Sequence, residues 1–167
     1  MPILIPENPN FKNNRAEEKV WKQLKKDLPS DVYLFHSVRI TEDNSDQEAD
    51  LVIIWPNKGI AFIEIKGGYI QANADGTFVQ GSGKKKQSID PVSQIHDSMY
   101  AITDWIHRYT SMKSAYPQTF MVAFPDALLS RKYQNSKIRR SQIIDKDEIQ
   151  SVVDRVRNAI ETRTGYS

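Results

Sequence analysis

The 167 residues include no cysteine, which excludes a disulfide framework, a thiolate metal site and a cysteine nucleophile, and suits a reducing compartment such as the cytoplasm. Long hydrophobic runs are missing too. The longest, Leu51 to Trp55 and Ile60 to Ile63, fall far short of the ~20 residues of a membrane-spanning helix. The opening MPILIPENP has no basic n-region and carries Pro2, Pro6 and Pro9, so a soluble, unexported protein is expected, with no membrane partner. Charge of one sign is equally scarce: 23 Lys and Arg face 21 Asp and Glu, a net of +2. Any contact with nucleic acid must then come from a local basic patch. No Gly-rich phosphate loop exists, since Gly67-Gly68 and Gly81-Ser82-Gly83 lack the spacing of a nucleotide motif. ATP hydrolysis is therefore not expected; His36, His96 and His107 have no ligand spacing and no nucleophile elbow is present, which argues against a histidine metal site and a Ser-His-Asp arrangement.

What is present reads as one domain with a substantial core. Residues 15 to 28 carry Val20, Trp21, Leu24 and Leu28 at helical spacing, with Pro29 as the stop. Val32 to Ile40 reads as a strand and Thr41 to Glu48 as a polar loop. Leu51 to Trp55 and Ile60 to Ile65 form a hairpin around Pro56-Asn57-Lys58-Gly59, and because both runs are apolar on both faces they belong at the centre of a covered sheet. A second hairpin is expected from Tyr69-Ile70-Gln71 and Thr77-Phe78-Val79 around Asp75-Gly76, then a flexible basic loop, Gly81 to Lys86. Ser93 to Tyr109 is a helix behind Asp90-Pro91, with Ile95, Met99, Ile102, Trp105 and Ile106 on one face. Thr119 to Phe124 is a further strand, ended by Pro125-Asp126, and Ile149 to Ile160 a last amphipathic helix. This order predicts an α/β sandwich around a mixed central sheet.

One charge pattern stands out. Glu48-Ala49-Asp50 runs into the first strand of the apolar hairpin and Glu64-Ile65-Lys66 ends the second. Charges at the end of a doubly covered strand are costly unless paired or bound to a metal. Residues two apart share a face, so Glu64 joins Lys66, and Glu48 joins Asp50. All gather on one face if Ile54 pairs with Ile60, which sets Asp50 opposite Glu64; pairing Trp55 with Ile60 would turn Asp50 away unless a bulge intervenes. A three- or five-residue connection, or a bulge, is therefore expected. Two carboxylates and a lysine on one face suit phosphodiester hydrolysis: the carboxylates hold Mg²⁺, and the lysine orients the attacking water and offsets developing charge. The alternative is an ordinary salt-bridged strand end.

Here the chain resembles the nuclease-related domain (NERD) of the PD-(D/E)XK nuclease superfamily, found alone or fused to helicases and kinases. The resemblance rests on Ala16 to Val20, Glu48 to Ile54, Gly59 to Gly68, Asp75 to Phe78 and Asp90 to Gln94. It covers residues 15 to 125, with Ala16 where many members have Gly and Phe78 where many have Trp. It implies a restriction-endonuclease-like α/β/α sandwich with a mixed central β-sheet. Residues 1–14 would be an N-terminal extension, 15–130 the nuclease core, and 131–167 a C-terminal strand and helix completing the same domain. The end at Gly165-Tyr166-Ser167 suits a domain boundary. The resemblance further implies a metal site on Asp50, Glu64 and the Ile65 carbonyl, with Lys66 catalytic. The helix glutamate falls on Glu17, which shares the stripe of Val20, Trp21 and Leu24; Glu18 is the fallback. Gln94 matches a glutamine reaching toward the site, and Glu48 is a possible addition.

The expectation is a Mg²⁺-dependent nuclease domain acting on DNA in processing or repair, with Mn²⁺ as a substitute metal, RNA not excluded, and fusion to or association with a helicase in view. Lys84, Lys85 and Lys86, and Arg139-Arg140, are candidate phosphate contacts or solvated loops. A second reading is a catalytically silent nucleic-acid-binding or partner-docking module of the same fold. A third is homodimer assembly through an apolar stripe on the Ile149–Ile160 helix.

Overall fold

The computed structural model describes residues 1–42, 44–110 and 116–164; Gly165 to Ser167, where a domain boundary is expected, lie outside them. Asn14 starts helix α1 (Arg15–Asp27) by accepting the Glu17 N–H (3.0 Å) on its side chain, and Val20, Trp21 and Leu24 form its buried stripe. Strands β2 (Tyr33–Glu42) and β3 (Ser45–Trp55) then form one long antiparallel hairpin. The segment expected as a polar loop is thus the hairpin's tip, with Thr41 opposite Asp46 and Glu42 opposite Ser45. Polarity misleads there because the tip bears polar groups on both faces. Arg39 bridges Asp46 and Glu48, and Asn44 takes the left-handed turn position (φ 64) that asparagine tolerates.

β3 pairs antiparallel with β4 (Gly59–Ile65), Trp55 opposite Gly59 and Ile54 opposite Ile60. The connection is the three residues Pro56, Asn57 and Lys58, which meets the condition for Asp50 and Glu64 to share a face. After β4 a small second sheet is inserted: β5 (Ile70–Ala72) and β6 (Phe78–Gln80) make the expected hairpin, and β7 (Gln87–Ile89) adds a strand the sequence does not announce. Gly81 to Lys86, expected as a flexible loop, contains a 3-10 turn, Gly83–Lys85, that folds β7 back on β6.

Helix α2 (Pro91–Tyr109) is capped by Asp90, which accepts the Ser93 N–H (3.1 Å), with Pro91 in its first turn. Ile95, Met99 and Ile102 are buried, but Trp105 is 37% exposed and packs on Tyr109 instead. At 3.6 residues per turn it lies about 90° from the centre of the Ile95–Met99–Ile102–Ile106 stripe. β8 (Gln118–Phe124) runs parallel to β4, and β9 (Ile143–Asp145) runs parallel to β8. On the far edge β1 (Ile3–Ile5) runs parallel to β2, so the leading segment joins the sheet. A 3-10 turn, Lys146–Ser151, leads into α3 (Val152–Thr164), so the final helix begins more tightly wound than expected.

The main sheet has the order β1-β2-β3-β4-β8-β9. α1 and α3 cover one face through Trp21, Leu24, Leu51, Ile63, Met121 and Val156. α2 and the small sheet cover the other through Val52, Phe62, Phe78, Ile95 and Phe124. This is the α/β/α sandwich with a mixed sheet that the resemblance implies. Ile149, Val152, Val156 and Ile160, the stripe expected to meet a second copy, are buried in the protein's own core. Among the described residues no helix is long and apolar enough to cross a membrane.

The β3–β4 turn leaves no room at Gly59: a Cβ there would lie 2.4 Å from the Pro117 carbonyl oxygen and 2.7 Å from Ile160. Gly59→Ala should therefore lose about 2–3 kcal/mol, read as a drop in Tm of roughly 5–10 °C. An unchanged melting curve would show that β4 and β8 can part without loss.

Candidate active site

The β3–β4 ladder ends at the pair Leu51–Ile63. The Ile65 N–H, next to pair with β3, is taken by the Asp50 carboxylate instead (Oδ2, 2.8 Å), which leaves the Ile65 carbonyl outside that ladder. The β2–β3 ladder is interrupted at the same place. His36 pairs with Leu51 and Val38 with Ala49, while Ser37 between them has φ 58, a conformation that costs a residue with a Cβ about 1–2 kcal/mol. Asp50 thus sits where β4 parts from β3 and opposite the strained Ser37 of β2, and backbone strain of this kind gathers at functional sites.

The opening is a cleft of about 500 Å³ lined by Glu17, Glu48, Asp50, Glu64, Lys66 and Gln94, with the backbone of Ile65 and Gly67 at its side. Asp50 is 8% and Glu64 6% exposed. The Lys66 Nζ stands 3.8 Å from Glu64 Oε1. Glu17 reaches in from α1 and is held by His36, whose Nε2 lies 3.2 Å from Glu17 Oε2. The His36 ring is fixed by edge contacts with Phe11 and Trp21, at centroid distances of 4.9 and 6.0 Å. From α2, the Ser98 hydroxyl donates to the Glu48 carbonyl (2.8 Å), tying the start of the Glu48–Asp50 segment to the helix that carries Gln94.

Burial pushes the Glu64 carboxyl up to about 9, and the Asp50 charge beside it acts in the same direction, only partly offset by Lys66. Burial and Asp50 also raise Glu17, against the lowering contact with His36. Asp50, Glu64 and Glu17 meet with Lys66 as the nearest lysine, and the raised Glu64 and Glu17 carboxyls record the cost of ionising all three together. A divalent cation would relieve this. Among the described residues no three His, Cys, Asp or Glu side chains form a cage for a metal. The available donors are Asp50, Glu64 and the Ile65 carbonyl, a set that fits Mg²⁺, which binds through one or two carboxylates and keeps several waters.

Of the residues expected at the site, the fold brings Glu17, Glu48, Asp50, Glu64, Ile65, Lys66 and Gln94 to one cleft. Glu18 is elsewhere: it faces solvent and pairs with Lys22 one turn on (2.9 Å). Lys84, Lys85 and Lys86 are exposed on the β6–β7 turn and do not line the cleft. Arg139 and Arg140 lie away from it, and Arg140 is bound to Asp145 (3.0 Å) and Glu148 (2.7 Å). His36, Ser98, Arg39 and Gln80 were not anticipated. Gln80 donates to the Gly67 carbonyl (2.8 Å) beside the cleft. A histidine screened for metal-ligand spacing gives no hint that it will bond a helix glutamate nineteen residues away.

The Glu64 shift has a sign that stability can report. The folded, metal-free protein keeps this proton up to about pH 9, whereas the unfolded chain releases it near 4.5. The folded state therefore binds more protons between these limits. Glu64's contribution to stability is full below about pH 4.5 and is lost as pH rises toward about 9. The metal-free Tm should fall across that window, and Glu64→Gln, neutral throughout, should flatten the slope. A slope unchanged in the variant would remove Glu64 as its source.

No curated protein matches the chain. The family model of the nuclease-related domain matches residues 12–125, well over half of the sequence and a span that runs from before α1 to the end of β8 and includes every cleft residue. The chain belongs to the nuclease-related domain family.

Proposed function

We propose that this protein is a Mg²⁺-dependent nuclease that hydrolyses phosphodiester bonds in DNA, acting in DNA processing or repair in the cytoplasm. The observation that carries the reading is the buried Asp50–Glu64 pair, with Lys66 beside it, at the open end of the β3–β4 hairpin. Buried acids without matching cations are a poor way to stabilise a fold and a good way to bind a metal. Asp50, Glu64 and the Ile65 carbonyl would hold Mg²⁺ or Mn²⁺, which when bound would supply stabilisation of charge developing on the scissile phosphate. Lys66 directs its ammonium to the attacking water and to the negative charge of the transition state. Glu17, anchored by His36, and Gln94, at the start of α2, orient water and phosphate from the two helices that flank the opening.

The rim supplies contacts for a polyanion. Arg39 lines one side of the cleft. The turn bearing Lys84, Lys85 and Lys86 does not line the cleft but begins one residue after Gln80, which does. Each such contact with a phosphate adds to the salt dependence of binding.

The test is cleavage of supercoiled plasmid, linear duplex and single-stranded oligonucleotide, with RNA as a parallel substrate, in Mg²⁺, Mn²⁺ or EDTA. Metal-dependent cutting is expected, with Lys66→Ala losing roughly 10²–10⁴-fold and Glu64→Ala losing at least as much. Cutting that survives Glu64→Ala overturns the assignment. Salt-sensitive DNA binding with neither metal binding nor cleavage would identify a docking module of the same fold.

A further inference from the structure

A second groove, of about 550 Å³, opens between the start of β5 and the loop that follows β8. Tyr69 and Leu128 stand on it 58% and 62% exposed, and Leu129 and Tyr133 line it. The Tyr133 ring is set in place: its hydroxyl donates to the Asn73 carbonyl (2.8 Å) and its ring packs on Phe78 (5.9 Å between centroids). The one carboxylate lining the groove, Asp126, is occupied by the Gly68 N–H (2.9 Å) and by Lys19 (3.0 Å). Lys146 adds a positive charge to the lining. Aromatic and aliphatic surface, with an acid whose charge is matched by Lys19 and further offset by Lys146, suits a ligand with a flat π-face and an anionic tether.

The groove and the acidic cleft share a short wall, Gly67–Gly68, on which Ala16 and the Asp126 carboxylate pack from one side while the Gly68 Cβ position is open. Gly67 lines the cleft, Tyr69 lines the groove, and the exposed Gly68 (φ 78) lies between them. Gly67 has no space for a side chain, because a Cβ would lie 2.8 Å from the Ala16 methyl. From Lys66 to Tyr69 is three residues, at most about 11 Å of extended chain, or about three nucleotide steps at ~3.4 Å each. A polynucleotide strand passing Lys66 can follow this short strap, where the Asp126 charge is matched by Lys19, and reach Tyr69.

We infer that the groove is a nucleobase subsite, in which an unpaired base of the substrate strand, within a few nucleotides of the phosphate at the acidic cleft, stacks against Tyr69. The inference rests on the nuclease reading above and gives that site a substrate class, a strand with a single-stranded segment. Bases inside a duplex are already stacked and do not offer a free face.

The test is fluorescence anisotropy in EDTA with two labelled probes of equal length, an oligothymidylate and an oligonucleotide made of abasic nucleotides. Both carry the same phosphates. Wild type should bind the thymidylate about tenfold more tightly. Tyr69→Ala should erase that preference while leaving the abasic affinity unchanged, and Tyr69→Phe and Tyr69→Trp should preserve it. The Tyr69 backbone bond to the Gly81 N–H (2.9 Å) survives any of these changes. Equal affinity for both probes, a preference that persists in Tyr69→Ala, or no binding of either probe would each overturn the subsite. Because no metal or cleavage is involved, base preference without catalysis would retain the subsite and remove the nuclease, and cleavage without base preference would do the reverse.

Discussion

The hydrogen bond from the Ile65 amide to the Asp50 carboxylate joins the two strands at the point where backbone pairing stops, and the geometry of the cleft depends on it. It exists because the register set at the Pro56–Asn57–Lys58 turn is carried without a slip from Trp55–Gly59 to Leu51–Ile63. A slip of one residue would reverse every side chain on one strand. That slip is resisted along the whole length of β4, where all seven residues are buried. A short turn at one end of a doubly covered hairpin thus sets the meeting of two acids at the other.

Two buried acid pairs in this molecule have opposite surroundings, and the contrast separates structure from chemistry. Asp145 and Glu148, at the end of β9, are among the most buried polar residues, but Arg140 bonds both, Arg131 reaches Glu148 at 2.9 Å, and Arg155 also contacts Glu148. Asp145 additionally accepts the backbone N–H groups of Asp147 (3.0 Å) and Leu129 (3.1 Å). That pair is compensated by the protein itself and fastens β9 to α3. Asp50 and Glu64 are nearly as buried, yet the nearest cation is a single lysine at 3.8 Å, and Glu17 adds a third acid. The burial of these acids, which holds Glu64 in its protonated form, is tolerated there because two large apolar clusters, one on each face of the sheet, supply the stability elsewhere.

Much of this was legible from periodicity and from turn chemistry. The stripe Val20–Trp21–Leu24, the apolar runs on either side of Pro56–Gly59 and the Asp90–Pro91 helix start are each long or specific enough to impose one structure. The convergence of Asp50, Glu64 and Lys66 followed from alternation alone once the connection had three residues. β1 and β7 escaped because three residues cannot display a period and, unlike β5 and β6, no Asp-Gly turn marks them; β9 is foreseen only as a strand within 131–167, its place set by its pairing with β8. The Thr41–Glu48 segment escaped because polarity records exposure, and an exposed hairpin tip is as polar as a loop. His36 could not be assigned its place: Phe11, Trp21 and Glu17 come from the N-terminal segment and α1, and only the packing of α1 on β2 brings them around one ring.

The small sheet inserted between β4 and α2 separates two tasks. β3 and β4 carry the acids and the lysine, and they belong to the central sheet, whose pairing and burial leave little freedom to change. β5, β6 and β7 hang from that sheet by the Gly67–Gly68 strap, which is fastened by Gln80 to the Gly67 carbonyl and by the Gly81 N–H to the Tyr69 carbonyl. These two bonds fix the Tyr69 backbone and the start of the lysine turn beside Gly67 and Gln80, which line the acidic cleft. A change in the insert's side chains can therefore alter what lies beside the cleft without disturbing the register that assembles it. A rigid hairpin that carries the acids and a small sheet that carries exposed side chains bear differently on function, since sites are grafted onto folds and do not follow from them.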